Sequence, residues 1–209
     1  LPFLQAAPFP WAAWVLVLVA WMFTLPAGRV LSESSAKLLT EVRIAANFDP
    51  LTGVLNRRSF GQQSAALWAG ATSDGDLVAL VLDLDHFKSV NDQFGHAAGD
   101  TVLRTVGEVL RETFPSSCLV ARMGGEEFAV LCPGSDVDDA LAYTEAIRAR
   151  LREVEPVDGA KVTVSIGIAD SDGASGVESL LDIADRATYA AKRAGRDRVV
   201  VAEPSRLTA

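Results

Sequence analysis

One apolar run strongly restricts how this chain can fold, because the run is unbroken and then ends in acids. Residues 78–82 read Val-Ala-Leu-Val-Leu, and Asp83, Leu84 and Asp85 follow directly. A strand with one face in water alternates polar and apolar residues, so an unbroken run predicts a strand that is buried on both faces. The carboxylates that follow are expected at the rim of the sheet.

The segments after this run occur in an order that indicates a topology. Strands are predicted at 118–122, 127–132 and 162–169, an amphipathic helix at 137–154, and an earlier helix with Val102, Leu103, Val106, Val109 and Leu110 on one face. Strand, helix, strand, strand, helix, strand is the split βαβ order of ferredoxin-like domains. We therefore predict an α+β fold of ferredoxin-like or palm type, with a βαββαβ core and an antiparallel central sheet flanked by helices.

A second acidic feature is the Gly124-Gly125 turn, which precedes Glu126, Glu127 and an apolar strand. In the predicted topology the end of the first strand meets the start of the third, so Asp83 and Glu126 should be neighbours. Converging carboxylates repel each other unless a cation intervenes, and oxygen ligands select a hard ion such as Mg²⁺. We expect a magnesium site that substrate phosphates complete.

Six motifs in unbroken order resemble the GGDEF diguanylate cyclases over residues 48–201. They lie at 49–58, 83–92, 95–100, 124–128 (the Gly-Gly-Glu-Glu-Phe signature), 164–169 and 191–196. The resemblance implies a homodimer with one GTP per subunit. Each 3′-hydroxyl would attack the α-phosphate of the GTP on the facing subunit, so that two GTP become cyclic di-GMP and two pyrophosphates are released.

The resemblance also implies roles for individual acids. Asp83, Glu126 and the backbone carbonyl of Leu84 would bind two Mg²⁺ ions per active site, with Mn²⁺ as a substitute. Glu126 is the candidate proton acceptor, and Glu127 is the rival assignment. Position 126 is Glu where the family name has Asp, which keeps the charge and should preserve metal binding.

The same resemblance implies that Asn91 and Asp100 read the guanine base. A carboxylate can accept hydrogen bonds from the ring N–H and the exocyclic amine of guanine, whereas adenine lacks that pair of donors. The residues alone leave a second interpretation open. Asp100 could cap the start of a helix, and Asn91 could end a short one.

Candidates for phosphate binding are backbone N–H groups and cations. The N–H groups around His86 and Phe87 lie where a helix is predicted to begin. The cationic candidates are Lys88, Arg122, Lys192 and Arg196. Taken singly, each would be an ordinary surface charge, and residues 192–196 would be an ordinary basic helix end.

One position departs from the family pattern. Many members carry an Arg-x-x-Asp product-binding site just before the signature, and here Pro115 and Cys118 occupy the two charged positions. Neither bears a charge, so we expect weak or absent product inhibition. Cys118 and Cys132 fall in predicted strands, and the expected cytoplasmic location disfavours a disulfide between them.

The first part of the chain has a different composition. No charged residue occurs between residues 3 and 25, and residues 11–23 are strongly apolar. We predict an N-terminal transmembrane segment within residues 1–27, with a cleaved signal peptide as the alternative. Basic residues after it favour a catalytic domain in the cytoplasm at the inner membrane. Because residue 1 is not Met, we expect that an upstream sensor region is missing.

The remaining boundaries follow from these assignments. Residues 28–47 are predicted to be a helical signalling linker, residues 48–203 the catalytic domain and residues 204–209 a short tail. Leu31, Leu38 and Ala45 repeat at heptad spacing, which favours pairing of the linker across a dimer. A single amphipathic helix packed on its own domain is the alternative.

Three functions fit the sequence. The favoured one is an active cyclase, since every metal, base and phosphate position has a chemically competent residue. The alternatives are a catalytically weak GTP-binding regulatory or dimerisation module and an inactive receptor for cyclic di-GMP. The formal net charge of −8 argues against a nucleic-acid partner.

Overall fold

The computed structural model describes residues 14–15, 21–22, 44–70, 77–154, 156–157, 159 and 161–203. Residues 1–45 and 46–209 form two separate units, and nearly all of the first unit lies outside the described residues. The linker predicted at 28–47 also lies outside them, except for residues 44–47, which are helical. Its pairing across a dimer therefore stays a prediction.

The described part of the second unit contains five helices and a six-stranded sheet. The helices are α1 Arg57–Gly70, α2 Phe87–Phe94, α3 His96–Thr113, α4 Val137–Glu153 and α5 Val177–Arg193. The strands are β1 Leu55–Asn56, β2 Leu77–Leu84, β3 Leu119–Gly124, β4 Glu127–Pro133, β5 Val164–Asp170 and β6 Arg198–Val201.

The strand order in the sheet is β1-β3-β4-β2-β5-β6. The four inner strands pair antiparallel, and β2 lies between β4 and β5. The predicted fold class is wrong about the sheet as a whole, because β1 pairs parallel with β3 and β6 pairs parallel with β5. The sheet is therefore mixed. These two edge strands have only 2 and 4 residues, too few to produce a clear alternating pattern in the sequence.

The predicted transmembrane segment also needs correction. Among the described residues, no helix is long and apolar enough to cross a membrane. The longest of them, α3, has 18 residues but is amphipathic and includes Asp100, Arg104 and Arg111. The prediction of a membrane-spanning helix in residues 1–27, and of a location at the inner membrane, is wrong for the part of the chain described. The rest of that segment lies outside it.

Helices cover both faces of β2, as the unbroken apolar run predicts. Val78, Leu80 and Leu82 pack in one cluster with side chains from α3 and α4. Leu77 and Ala79 pack in a second cluster with side chains from α1 and α5. All five are at most 2% exposed. Burial of a Leu-sized side chain contributes roughly 1.5–3 kcal/mol, so β2 is firmly held and its last residues have a fixed position.

The two cysteines form a disulfide, contrary to the expectation from the sequence. Leu119 is paired with Leu131 in the antiparallel β3–β4 ladder, which places Cys118 opposite Cys132. Directly opposed residues on neighbouring strands are close enough for a disulfide. The expectation rested on the cellular compartment and did not consider this cross-strand geometry.

Candidate active site

A tight turn between β3 and β4 presents the two signature glutamates. β3 ends at Gly124 and β4 begins at Glu127, with a shift in the strand register at this end of the hairpin. Gly125 has φ +50°, a conformation that favours glycine because a side chain would crowd the backbone. Glu126 is half-buried and Glu127 is exposed. The glycine pair therefore allows Glu126 to turn towards the sheet.

Asp83 and Glu126 lie close together, as the topology predicts. Asp83 is opposite Glu127 in the β2–β4 ladder, and the next residue, Leu84, donates its backbone N–H to the Glu126 carbonyl oxygen at 3.3 Å. Asp83 is only 7% exposed. A carboxylate from β2 and one from the β3–β4 turn thus share the rim of the sheet.

Lys192 provides the positive charge beside these acids. Its Nζ lies 2.6 Å from Asp83 Oδ2, and its side chain is 33% exposed. Lys192 is in the last turn of α5, the helix that packs against β5 and β2. The residue that the resemblance assigned to phosphate therefore contacts a predicted metal ligand in this structure.

The Glu126 carboxyl has a pKa above its ordinary value. Burial is the main cause, and repulsion from Asp83 raises the pKa further. The positive charge of Lys192 opposes this rise, while Glu127 adds to it. An acid held near other acids is harder to ionise, so the site favours the arrival of a cation.

The side chains present fit a metal site that is not complete by itself. Within the described residues, no group of three or more His, Cys, Asp and Glu side chains converges as a metal cage would. Asp83 and Glu126 are two carboxylate donors, and oxygen donors suit Mg²⁺ or Mn²⁺. Mg²⁺ commonly takes one or two carboxylates and completes its shell with substrate phosphates and water. The donor set matches that pattern.

The predicted base-reading residues lie on two helices, α2 and α3, that pack against each other at Gly99. Neither is a helix cap: Asn91 lies within α2, and Asp100 lies inside α3, whose cap position is Gly95. A methyl group on Gly99 would overlap Asn91 Oδ1 and crowd the Phe87 ring. The absence of a side chain at Gly99 thus lets Asn91 pack next to the residue that precedes Asp100.

The remaining phosphate candidates have different surroundings. Phe87 is buried and packs in the core, which leaves its backbone at the start of α2 as the part that could face a ligand. Lys88 is exposed in the first turn of the same helix. Arg196 is exposed just beyond α5, with φ 62°. Their contact with a substrate stays a prediction.

Arg122 is held by contacts within the protein. Its Nη1 is 3.2 Å from Asp49 Oδ1, and its Nε and Nη2 donate to the Gly125 carbonyl oxygen at 3.0 and 2.7 Å. Asp49 also accepts hydrogen bonds from the backbone N–H and Oγ1 of Thr52. Arg122 therefore ties the signature turn to the start of the domain, and its contact with a substrate stays a prediction.

Asp49 had no role in the sequence interpretation, although the signal was available. Burial alone would raise its pKa, but hydrogen bonds from Thr52 and the charge of Arg122 outweigh burial and lower it. An Asp followed three residues later by Thr is typical of a side chain that caps its own turn. The ionised form of Asp49 is thus the one that clamps Arg122.

The mixed sheet brings two carboxylates and a lysine to one rim, and such a set of side chains suits binding of a divalent metal together with phosphate groups. A family profile described as "Diguanylate cyclase, GGDEF domain" matches residues 46–198. The chain belongs to the GGDEF diguanylate cyclase family, which confirms the resemblance seen in its motifs.

Curated relatives match over most of this chain. It is 40% identical over 171 residues to the diguanylate cyclase DgcP of Pseudomonas aeruginosa, covering 78% of this chain and 25% of DgcP. It is 39% identical over 202 residues to the uncharacterized protein YhcK of Bacillus subtilis, covering 90% of this chain and 56% of YhcK. The chain thus spans about half or less of the length of these relatives.

Solved structures show the same architecture. The coiled coil and GGDEF domain of DgcB from Caulobacter crescentus, in complex with c-di-GMP, has a TM-score of 0.76 at 33% identity and covers 85% of this chain and 97% of that one. The active GGEEF domain of a diguanylate cyclase from Vibrio cholerae has a TM-score of 0.67 at 30% identity and covers 72% and 98%.

The raised pKa of Glu126 predicts a pH-dependent effect of removing its charge. A carboxyl whose folded-state pKa lies above its unfolded value favours the folded state fully below the unfolded pKa, and this contribution is lost as the pH rises through the folded-state pKa. Glu126→Gln cannot ionise. In the metal-free chain, the free energy of unfolding of Glu126→Gln minus that of the wild type should therefore be larger at about pH 8 than at about pH 4.

Thermal denaturation with a chelator present measures this difference. Glu108→Gln, which removes an exposed carboxylate from α3, is the matched control and should show no such pH dependence. A melting-temperature difference between wild type and Glu126→Gln that is the same at both pH values would contradict the assignment.

Proposed function

We propose that this chain is a diguanylate cyclase that condenses two GTP into cyclic di-GMP and releases two pyrophosphates. The observation that carries the proposal is the meeting of Asp83, Glu126 and Lys192 at one rim of the sheet. Membership of the GGDEF family supports the same reaction. The chain covers only part of its relatives, so this assignment concerns the domain described.

We propose that the acidic side chains hold the metal ions and that the cationic side chains bind the triphosphate. Asp83, Glu126 and the Leu84 carbonyl would be the protein ligands of two Mg²⁺ ions, or Mn²⁺. Such ions would offset the negative charge that develops on the phosphates and would lower the pKa of an attacking hydroxyl. Lys192, which contacts Asp83 in this structure, would pair with the triphosphate when GTP binds, with Lys88 and Arg196 as further cations.

Proton removal from the 3′-hydroxyl is assigned to a signature glutamate. Glu126 is the first candidate because it is half-buried and lies beside Asp83. Glu127 is exposed and points from the same turn. It stays the rival.

Selection of guanine is assigned to Asn91 and Asp100. Their helices pack at Gly99, so the amide and the carboxylate can be presented together, and neither side chain is used as a cap. A site built to accept two hydrogen bonds rejects a base that lacks both donors.

We further propose that two copies are needed for turnover. Each copy offers one Asp83 and Glu126 pair and one Asn91 and Asp100 pair, which suits one GTP. The reaction joins two GTP symmetrically, so a facing copy would supply the second. The coiled coil named for the DgcB structure is consistent with pairing of such domains.

The cyclase proposal is tested by product analysis. The purified chain is incubated with GTP and Mg²⁺, and the nucleotides are separated by chromatography. We expect cyclic di-GMP from the wild type, and a loss of at least about 100-fold in Glu126→Gln, since removal of a catalytic carboxylate typically costs 10²–10⁴-fold in rate. Glu127→Gln separates the two base assignments.

The matched control is Glu108→Gln, which should keep wild-type turnover. GTP binding without product would contradict the cyclase proposal and favour the regulatory module, provided that a forced dimer is also inactive. Equal turnover in Glu126→Gln and Glu108→Gln would show that the carboxylate of Glu126 in the signature turn does not take part in the reaction.

Product inhibition at the family's upstream site is proposed to be absent. Cys118 stands at the position of the family's Asp, and its sulfur is bonded to Cys132. Pro115 stands at the position of the Arg. Neither side chain can pair with a phosphate of a bound dinucleotide.

The corresponding measurement is initial turnover with added cyclic di-GMP. We expect the rate to change by less than about twofold when product is added at the GTP concentration, because the charged contacts that would hold it there are missing. Strong inhibition that extra GTP does not relieve would show a product site and contradict the proposal.

A further inference from the structure

Asp85 is a buried carboxylate next to the site, and the proposed chemistry does not use it. It follows β2, two residues after Asp83, and is 5% exposed. An Asp-x-Asp pair at a strand end is a common pattern for metal ligands. The contacts around Asp85 therefore decide whether it is a ligand.

Neutral donors occupy both oxygens of the Asp85 carboxylate. Oδ1 accepts from Ser165 Oγ at 2.7 Å, and Oδ2 accepts from Thr163 Oγ1 at 2.8 Å and from the backbone N–H of Asp197 at 3.0 Å. The Asp85 backbone N–H also donates to the Thr163 carbonyl oxygen at 2.9 Å. A metal on this carboxylate would have to displace several of these short hydrogen bonds. The Asp85 carboxylate therefore faces donors of the protein itself, in contrast to the metal-ligand role expected for Asp83.

The Asp197 contact fixes an unusual turn. Arg196 and Asp197 are consecutive non-glycine residues with φ 62° and 42°, in the left-handed region. The left-handed region is unfavourable for residues other than glycine, so the turn persists only if its surroundings hold it. Asp85 holds its backbone from one side.

Two arginines of α4 hold the same turn from the other side. Arg148 Nη2 donates to the Asp197 carbonyl oxygen at 2.6 Å, and its Nε lies 3.2 Å from Asp197 Oδ1. Arg152 Nη2 lies 3.1 Å from both carboxylate oxygens of Asp197. The turn is thus fixed by contacts from two separate segments, the end of β2 and the helix α4.

This turn carries one proposed phosphate ligand and follows another. Arg196 is its first left-handed residue, and its backbone N–H donates to the Ala191 carbonyl oxygen at 3.1 Å. Lys192, the next residue after Ala191, contacts Asp83. Asp85 therefore connects the strand that bears the metal acid to the segment that bears the phosphate cations.

We propose that Asp85 is a positioning residue for triphosphate binding and is not a metal ligand. It holds the Arg196–Asp197 turn so that Arg196 and Lys192 face the nucleotide in a fixed arrangement. The inference rests on the proposed cyclase function for its effect on GTP, but its effect on the turn is independent of that function.

The test compares Asp85→Asn with Asp83→Asn. Asp85→Asn keeps the volume of the side chain but replaces one carboxylate oxygen with an amide NH₂ group. This group donates hydrogen bonds and cannot accept them from Ser165, Thr163 or the Asp197 backbone. We expect the KM for GTP to rise by about tenfold with kcat within about twofold of the wild type, as for the loss of one strong hydrogen bond that orients a binding group. Asp182→Asn, an exposed change on α5, is the control and should alter neither value.

Two binding measurements separate positioning from ligation. Mn²⁺ affinity without nucleotide should stay within about twofold in Asp85→Asn and fall by about tenfold or more in Asp83→Asn, since removal of a ligand loses a direct bond. Hydrogen exchange of the Asp197 amide, followed by NMR without nucleotide, should quicken by about tenfold or more in Asp85→Asn.

Either of two results overturns the inference: a loss of Mn²⁺ binding in Asp85→Asn equal to that in Asp83→Asn, or unchanged exchange of the Asp197 amide.

If Asp85→Asn does not fold, Thr163→Val removes one donor and keeps the carboxylate. It should raise both the KM and the Asp197 exchange rate, while Thr105→Val, whose hydroxyl bonds its own helix, should change neither. No change in Thr163→Val also overturns the inference. A wild type that makes no cyclic di-GMP overturns the proposed function, whereas the exchange result stands by itself.

Discussion

The site depends on the repulsion between Asp83 and Glu126, which the fold places at one rim and Lys192 partly offsets. Burial of β2 on both faces fixes Asp83, and the antiparallel β2–β4 ladder brings Glu126 to it. Burial is the main cause of the raised pKa of Glu126; repulsion from Asp83 raises this pKa further, and Lys192 opposes the rise. Two acids held this close together favour the binding of a cation.

Two sets of ion pairs and hydrogen bonds keep this rim in place from opposite directions. Arg122 joins the signature turn to Asp49 and to the carbonyl oxygen of Gly125, so Glu126 has a defined approach to Asp83. Asp85 and the α4 arginines hold the Arg196–Asp197 turn on the other flank. Charged and hydrogen-bonded residues that look like ligands in the sequence can thus serve to orient the groups that touch substrate.

Much of the inner fold and the meeting of the acids could be predicted from the sequence. The apolar run at 78–82 and the helical spacing from Val102 to Leu110 are strong periodic signals, and both segments are buried as predicted. The edge strands were not predictable, because two to four residues carry no period and their parallel pairing depends on tertiary contacts. The roles of Arg122 and Asp85 depend on partners 73 and 112 residues away, which no local pattern shows.

The measurement that tests the central claim most directly is Mn²⁺ affinity with and without a GTP analogue whose α–β bridge cannot be cleaved. Calorimetric titration of the purified chain should show weak binding of Mn²⁺ in the absence of the analogue. With the analogue present, the affinity for Mn²⁺ should be at least about tenfold higher, after subtraction of the Mn²⁺ that the analogue binds in solution without protein. We expect this because the phosphates complete the coordination shell of the metal and pair with Lys192. The excess should vanish in Glu126→Gln. Equal affinity with and without the analogue would mean that the acids form a self-sufficient metal site, and that the site described here is not one that the nucleotide completes.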